Sequence, residues 1–464
     1  MRRPAAFLAL LLAGGLAPGC AVRERGRPPS CPGLAESQAA PARLVRLAGG
    51  RAERRPFPPP PVSRFLSRRF SPYTRHGGDR AASRWAWTAF GEAGLLDETL
   101  RPVDRAWFER MDREAAWDRA GRIGRPGVAL RTANLRAMPT SHPLIGDPSA
   151  PGQGFPFDRL QNGLVLGGEP VWLSHRSASG RWIFVWTAAA SGWVLDRDVA
   201  PVAPELAAAL PRMTPVAVVR EGFPIRTGDG RFLFAGRIGM VLPSAGGDGT
   251  GRLRVLVPAG RNADGTVAFQ TVVLERGQAV PIPLDPTVAH LAGLASRMLG
   301  LPYGWGGAFG GRDCSAFVRD FFTPFGLWLP RNSRAQAAAG QRIDLKGLEP
   351  AAKARRIVRL GRPFATLLVK PGHVALYVGA DAANAPVVLH AVWDLGARER
   401  GAAVRRHVGH AVLTVLRPSP GPAPGCAVTL LDALETMTQL GGALSPGRGA
   451  GTLPAPQGGG ETHE

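Results

Sequence analysis

Cys314 is the residue of this 464-residue chain whose surroundings best suit nucleophilic chemistry. The apolar residues after it recur at helical spacing, at positions 317, 318, 321 and 322. Asp313 is a favourable helix N-cap, so Cys314 is predicted to lie in the first turn of a helix. There the helix N-terminus lowers the pKa of a thiol below its usual ~8.5, and a backbone N–H can donate to a developing oxyanion. The sequence therefore predicts a nucleophilic thiolate.

Two histidines downstream are candidates for the base and for the group that orients it. Pro371-Gly372 predicts a turn, after which His373 begins an apolar strand that runs to Val378. His390 lies in the next predicted strand, and neighbouring strands are ~4.8 Å apart, so the two imidazoles can lie side by side. His390 could then accept the second ring N–H of His373 and fix its tautomer.

Zinc binding is an alternative use of the same side chains. Cys314, His373 and His390 are residue types that ligate zinc, but no fourth ligand with suitable spacing is evident. We therefore predict no metal and no other cofactor. His407 and His410 are expected to be surface residues.

The composition limits the possible partners. The formal net charge is +22, almost entirely from arginine. Such a charge attracts anionic polymers or lipids, although an arginine-rich composition alone gives the same value. No run of five or more basic residues occurs, so nucleic acid is not an expected partner. The 4 cysteines show no CxxC spacing and are too sparse for a disulfide framework, which leaves only weak support for a Cys31–Cys426 bridge.

The N-terminus predicts export. Residues 1–20 combine two arginines with a short apolar core and end in Cys20, a pattern typical of a secretory signal. The run before Cys20 resembles a bacterial lipobox, in which the cysteine is lipidated, although Ala17 and Pro18 depart from that pattern. We predict a lipoprotein, with an ordinary cleaved signal as the alternative. Ala21 is not the Asp of inner-membrane retention, so the predicted location is periplasmic, at the outer membrane.

Three other segments flank the regions rich in strands. Residues 21–61 are rich in Pro, Arg, Gly and Ala and predict an extended tether. Residues 62–124 carry aromatic residues at helical spacing and predict a helical segment whose aromatics form core. Residues 417–464 predict a C-terminal extension with one amphipathic stretch and a disordered end.

Two blocks of short strands precede the catalytic motifs. Residues 125–203 and 212–283 are broken by Gly, Pro and Ser, and Trp182, Phe184 and Trp186 alternate as on one strand face. These blocks resemble two bacterial SH3 barrels in tandem. The catalytic motifs lie in residues 284–416. There Asp285-Pro286 predicts the start of a helix, with Asp as the cap and Pro at the first helical position.

Taken together, the motifs of residues 284–416 resemble the NlpC/P60 family, which has a circularly permuted papain-like fold. The matching residues are Tyr303 with Trp305-Gly306-Gly307, Asp313-Cys314-Ser315, Pro330-Arg331-Asn332-Ser333 with Gln336, Gly372-His373, and His390. The upstream segments are similar to the subgroup that carries an N-terminal stabilising domain and two bacterial SH3 domains. Ala316 stands where the family usually has Gly, and Asn332 where Thr is common.

The resemblance implies a multidomain protein of mainly β plus α+β class. It implies a helical N-terminal segment, two SH3-like β-barrels and a C-terminal papain-like domain. It assigns Cys314 as nucleophile, His373 as base and His390 as the third polar residue. It also implies a substrate-binding set that recognises the free amine of L-Ala: Tyr303, Asp313 and Ser315.

The implied activity is hydrolysis of peptidoglycan stem peptides between D-γ-glutamate and a diamino acid. Family members carry out this reaction as cysteine endopeptidases, and the protein is expected to be a monomer. An acyltransferase on the same fold is an alternative, because an amine could replace water. A wall-binding SH3 protein without peptidase activity is another, against which the intact Cys and His pair argues.

Overall fold

The computed structural model describes residues 36–75, 83–91, 93–150, 152–247, 249, 251–399, 402–418, 427–428 and 430–441. The predicted signal, Cys20, Cys31, Cys426 and the predicted disordered end from residue 442 lie outside the described residues. Within the described ranges, no helix is long and apolar enough to cross a membrane. In the same ranges, no group of three or more His, Cys, Asp and Glu side chains is arranged to hold a metal ion.

The described chain begins with a segment that packs on the C-terminal domain. Helix α1 (Pro41–Leu47) buries Leu44 completely. Phe57 is also buried and packs edge-on against Phe322, with the ring centroids 5.9 Å apart. The prediction of an extended tether is therefore wrong for residues 36–61, because apolar residues placed among the prolines and arginines reach the core.

Helices follow in the segment predicted to be helical. They are α2 (Val62–Arg69), α3 (Ser71–Arg75), α4 (Trp85–Phe90) and α5 (Arg105–Ala115). Asp104 caps α5 by accepting a hydrogen bond from the backbone N–H of Trp107. Trp85, Phe90 and Phe108 are buried in a cluster that includes residues of the first strand domain. The aromatic residues at helical spacing are therefore core residues.

The first strand domain is a single antiparallel sheet with an aromatic centre. Its strands are β1 (Arg125–Ala129), β2 (Ala133–Arg136), β3 (Gln161–Val165), β4 (Pro170–Arg176), β5 (Trp182–Trp186), β6 (Ser191–Leu195) and β7 (Val199–Pro201), in the order β3-β2-β6-β5-β4-β1-β7. Trp117, Trp182, Phe184 and Trp193 form one buried cluster, and His175 packs against three of these rings. Helix α6 (Pro204–Ala209) then leads to the second domain.

The second strand domain contains two sheets. Its strands are β8 (Pro215–Val218), β9 (Pro224–Arg226), β10 (Phe232–Ala235), β11 (Val241–Gly247), β12 (Leu253–Arg261), β13 (Val267–Leu274) and β14 (Ala279–Pro281). Strands β9 and β10 pair with each other, and the others follow the order β13-β12-β11-β8-β14. Alternate residues of these strands, including Val216, Val218, Val255 and Val257, fill one core.

The C-terminal domain packs helices against an antiparallel sheet. The helices are α7 (Val288–Met298), α8 (Cys314–Phe322), α9 (Ser333–Ala337), α10 (Pro350–Leu360) and α11 (Leu430–Ala433). The strands are β15 (Gln341–Asp344), β16 (Thr366–Lys370), β17 (His373–Ala380), β18 (Pro386–Glu399), β19 (Ala402–Val415), β20 (Ala427–Val428) and β21 (Thr436–Gln439), in the order β15-β21-β16-β17-β18-β19 with β20 beside β18. Apolar faces of α7 and α8 share one core with β16, β17 and β18.

Two boundaries of this domain differ from the predicted ones. Helix α7 starts later than Asp285-Pro286 predicts: its N-cap is Thr287, which accepts from the backbone N–H of His290, while Asp285 pairs with Arg55. The domain also extends past residue 416, because β21 lies between β15 and β16 with Met437 fully buried. The Pro- and Gly-rich run at residues 418–425 indicates the end of a domain, so the sequence does not predict that the chain returns to the sheet.

Candidate active site

Cys314 lies at the predicted place, as the first residue of α8. The Asp313 carboxylate accepts a hydrogen bond from the Ala316 backbone N–H at 2.8 Å, which fixes the start of the helix. The Cys314 side chain is buried, and its Sγ lies 4.0 Å from the carbonyl oxygen of Gly372. Gly372 directly precedes His373, so the fold brings the predicted nucleophile next to the predicted base.

The two predicted histidines are in contact on adjacent strands. Nε2 of His373 on β17 lies 2.7 Å from Nδ1 of His390 on β18, a hydrogen-bonding distance. On the other side of His390, its Nε2 lies 2.9 Å from Oγ1 of Thr414 on β19. With Nε2 of His373 engaged by His390, Nδ1 is the ring nitrogen left for the predicted proton exchange with the thiol. Thr414 was not singled out by the sequence analysis.

The loop before Cys314 depends on a glycine and on the first strand domain. Gly306 has φ +57°, and a Cβ there would come within 2.1 Å of the carbonyl oxygen of Gln161. The Gln161 side-chain amide donates to the Gly306 carbonyl at 3.1 Å, and the Gly306 N–H donates to Asp313 at 3.1 Å. Only glycine combines this backbone conformation with so close an approach, so the loop ties the cap of α8 to β3.

The resting thiol is protonated at neutral pH. Burial, followed by the negative charge of Asp313, raises the pKa of Cys314 to about 12, although N–H groups of Val374 and Ser315 act in the opposite direction. The helix start acts in the predicted direction through the Ser315 N–H, but burial and Asp313 outweigh it, so the predicted net lowering of the pKa of Cys314 is wrong. A nucleophilic role for Cys314 would therefore require a base, the role predicted for His373. Burial also lowers the pKa of His390 to about 3, so His390 is neutral at physiological pH.

The Asp313 carboxylate is fully engaged inside the protein. Arg331 binds it through two hydrogen bonds of 3.0 and 2.5 Å, and the Ser315 hydroxyl donates to it at 3.0 Å. Burial acts to raise the pKa of Asp313, but the charge of Arg331 together with the hydrogen bonds from Arg331, the Ala316 N–H and Ser315 outweighs it, so the pKa is lowered. The predicted binding residues Asp313 and Ser315 thus lie together with Arg331, which appeared in the sequence only as part of a family motif.

Tyr303 connects the site to a row of aromatic side chains. Burial and the neighbouring Cys314 raise the pKa of the Tyr303 phenol well above its usual value, so it is a neutral donor. Its ring lies 6.0 Å from that of Trp393, and Trp393 lies 5.8 Å from Phe155 of the first strand domain. Phe155 also meets Phe309, which is 81% exposed. The first strand domain and the C-terminal domain therefore both approach the site.

A buried ionic network joins the second strand domain to α8. Arg312, 1% exposed, donates to Asp320 of α8 at 2.8 Å and to Glu221 at 3.2 and 2.9 Å. Arg237 lies 3.6 Å from Asp320 and donates to the Gly310 and Gly311 carbonyls. Because Arg312 adjoins Asp313, the second strand domain holds the segment that leads into Cys314.

Family comparisons agree with this architecture. A model of the NlpC/P60 family matches residues 300–383. The C-terminal domain belongs to the NlpC/P60 family. Models described as SH3 domain (SH3b1 type) and SH3 domain of SH3b2 type match residues 143–195 and 216–248. The predicted class, a multidomain protein with two SH3-like domains and a C-terminal NlpC/P60 α+β domain, is confirmed.

Curated relatives match only parts of the chain. A gamma-D-glutamyl-L-lysine dipeptidyl-peptidase of Bacillus subtilis is 33% identical over 86 residues, 18% of this chain and 29% of that protein. A protein of Mycobacterium tuberculosis named as an endopeptidase is 46% identical over 57 residues, 12% of this chain and 15% of its own length. The chain therefore spans less than a third of these relatives.

A solved structure resembles most of the chain. It is an NlpC/P60 endopeptidase from Photobacterium damselae subsp. piscicida, with a TM-score of 0.73 and 21% sequence identity. The match covers 88% of this chain and 98% of that chain. This likeness extends the agreement in fold to the SH3 domains as well as the NlpC/P60 domain.

Proposed function

We propose that this protein hydrolyses peptidoglycan stem peptides at the amide between D-γ-glutamate and a diamino acid. The observation that carries the proposal is a thiol at a helix start beside two histidines whose ring nitrogens lie 2.7 Å apart. The name of the Bacillus subtilis relative supports the γ-D-glutamyl substrate class. The NlpC/P60 and SH3 domains support an extracellular or periplasmic role at the cell wall.

In this mechanism, Cys314 is the nucleophile, His373 the base and His390 the orienting residue. His373 removes the thiol proton, and the thiolate attacks the scissile carbonyl carbon. Backbone N–H groups at the start of α8 are available to stabilise the oxyanion. The C–N bond breaks as His373 passes the proton to the leaving amine, which leaves a thioester. Water then attacks the thioester, giving one proton through His373 to the departing thiolate, and the free carboxyl product forms.

We further propose that the free amine of L-Ala binds near Tyr303, Asp313 and Ser315. The Asp313–Arg331 pair is close to neutral as a unit, so an incoming ammonium would share the carboxylate with Arg331. This arrangement predicts a moderate preference for a free amine over an acetylated one. Comparing cleavage of a stem peptide with its N-acetylated form measures that preference, and equal rates would contradict it.

The proposed location is periplasmic, with Cys20 as a lipid anchor at the outer membrane. The support is the N-terminal sequence, with two arginines, an apolar core and a lipobox-like run before Cys20. Metabolic labelling with a fatty acid tests it. The label should enter the wild-type protein and be lost in Cys20→Ser. Labelling of both proteins, or of neither, would contradict the anchor.

The central experiment uses the purified mature protein and defined stem peptides, with products identified by mass spectrometry. Wild type should release the two fragments expected from cleavage after D-γ-glutamate, and Cys314→Ala should release none. Cys426→Ala is a matched cysteine control and should cleave like wild type. Absence of cleavage by wild type, or unchanged cleavage by Cys314→Ala, contradicts the proposal. Transfer of the acyl group to an added amine would instead indicate an acyltransferase. Binding to the cell wall without any reaction would indicate a wall-binding protein.

A further inference from the structure

A line of hydrogen-bonding groups crosses three neighbouring strands behind the thiol. His373 on β17 contacts His390 on β18 at 2.7 Å, and His390 contacts the Thr414 hydroxyl on β19 at 2.9 Å. His390 and Thr414 are both completely buried. Their polar atoms must therefore be satisfied by each other and not by solvent, because an unpaired buried polar group is costly. The line ends on a hydroxyl, which can both donate and accept.

The protons on this line cannot be placed independently. A neutral imidazole carries one N–H, so His390 can donate on only one side at a time. When His373 is an imidazolium, its Nε2–H donates to Nδ1 of His390. The single proton of His390 must then be on Nε2, where the Thr414 oxygen accepts it. When the hydroxyl donates instead, His390 carries its proton on Nδ1 and presents it to Nε2 of His373.

We propose that Thr414 is a positioning residue for the reaction, whose hydroxyl lets His390 match its tautomer to the protonation state of His373. The inference rests on the proposed Cys314 and His373 chemistry. Thr414 does not touch the thiol and acts only through His390. In its absence, a proton on Nε2 of His390 would have no acceptor in a buried site. His390 would then keep its proton on Nδ1, facing His373, and the imidazolium form of His373 would be disfavoured.

Other ionisable groups near His373 also influence its protonation. Cys314 lies on the thiol side, together with Asp313, Arg331 and Tyr303. Lys370 on β16 is the register partner of His373 across the turn. These groups are unchanged in a Thr414 variant. A change in the pH dependence assigned to His373 would therefore be due to the loss of the hydrogen-bonding line through His390.

The test compares Thr414→Val, which keeps the shape and removes the hydroxyl, with Thr414→Ser, which keeps the hydroxyl. Labelling of Cys314 by iodoacetamide is followed between pH 5 and 10 by mass spectrometry of the peptide that contains it. Thr414→Val should label about tenfold or more slowly near neutral pH, the loss expected for one hydrogen bond to a charged system. In the pH profile of its labelling rate, the rise assigned to deprotonation of His373 should move to lower pH. The labelling profile of Thr414→Ser should match that of wild type.

Labelling needs no substrate, so this result is separable from failure of the proposed peptidase activity. If stem peptides are cleaved, kcat of Thr414→Val should fall with KM little changed. A wild-type labelling profile in Thr414→Val overturns the inference. Equal impairment in Thr414→Ser also overturns it, because packing and not the hydroxyl would then be responsible. Melting temperatures check that the variants are folded, and Thr414→Ala replaces the valine variant if that one does not fold.

Discussion

Removing His373, the proposed base, should leave a Cys314 thiol that is almost inert. In His373→Ala, burial and Asp313 would still hold the pKa of Cys314 at about 12. At pH 8 the thiolate fraction is then about 1 in 10,000, against about 1 in 4 for an ordinary cysteine of pKa ~8.5. Since the thiolate is the reactive species, Cys314 should react about 2,500-fold more slowly than an ordinary cysteine, before any loss of access.

The assay is iodoacetamide labelling of the Cys314 peptide in native and urea-denatured His373→Ala, followed by mass spectrometry. The denatured sample supplies the ordinary thiol as an internal reference. Access to a buried thiol also slows labelling, but it does not change the dependence on pH. In the native variant, the rate should therefore rise about tenfold per pH unit through pH 10 without a plateau. Exposed His142→Ala should label like wild type. A plateau near pH 9 in native His373→Ala would refute the reasoning.

Three further changes test other contacts. Asp313→Asn removes a charge that raises the pKa of Cys314 and leaves Arg331 unpaired, so the thiolate should form at lower pH; slower labelling at fixed pH would contradict this. Gly239→Ala should lower the melting temperature more than Gly222→Ala, because both have positive φ but only a Cβ at Gly239 meets Asp320, at 2.8 Å; equal losses would exclude the clash. Phe57→Ala should lower the free energy of unfolding by about 3–5 kcal/mol in a urea titration, whereas a true tether residue would change it little.

Local patterns predicted where Cys314, His373 and His390 lie better than they predicted the environment of the thiol. The positions of Cys314, His373 and His390 follow from a cap, a turn and two strands, all within about 80 residues. The pKa of Cys314 could not be read in the same way. It depends on burial and on Asp313, and the counter-charge of Arg331 reaches Asp313 only through the fold. The sequence indicated the favourable effect of a helix start but not the larger cost of desolvation.

The missed elements share a physical cause. Met437 lies in the predicted amphipathic stretch of the C-terminal extension, and its place between β15 and β16 depends on strands far away in the sequence. Phe57 lies in a segment whose prolines, glycines and arginines predict extended chain, yet its side chain, like that of Met437, is buried in the C-terminal domain. Single apolar residues in such segments have no periodicity from which burial could be inferred. Thr414 was overlooked for a related reason. Thr414 matters because it contacts His390 from the neighbouring strand. Sequence spacing does not fix the strand register that brings these two residues together.

The ionic network between Arg312, Glu221 and Asp320 bears on how this protein could have evolved by recombination. An NlpC/P60 domain moved alone to a new chain would lose Glu221 and Arg237, and Arg312 and Asp320 would keep only part of a buried charge balance. Breaking such a pair costs about 3–5 kcal/mol, a large share of the stability of a typical domain. The NlpC/P60 domain and the second SH3 domain are therefore expected to be inherited as one unit. Substitutions at Glu221 should be tolerated in evolution only with compensating changes at Arg312.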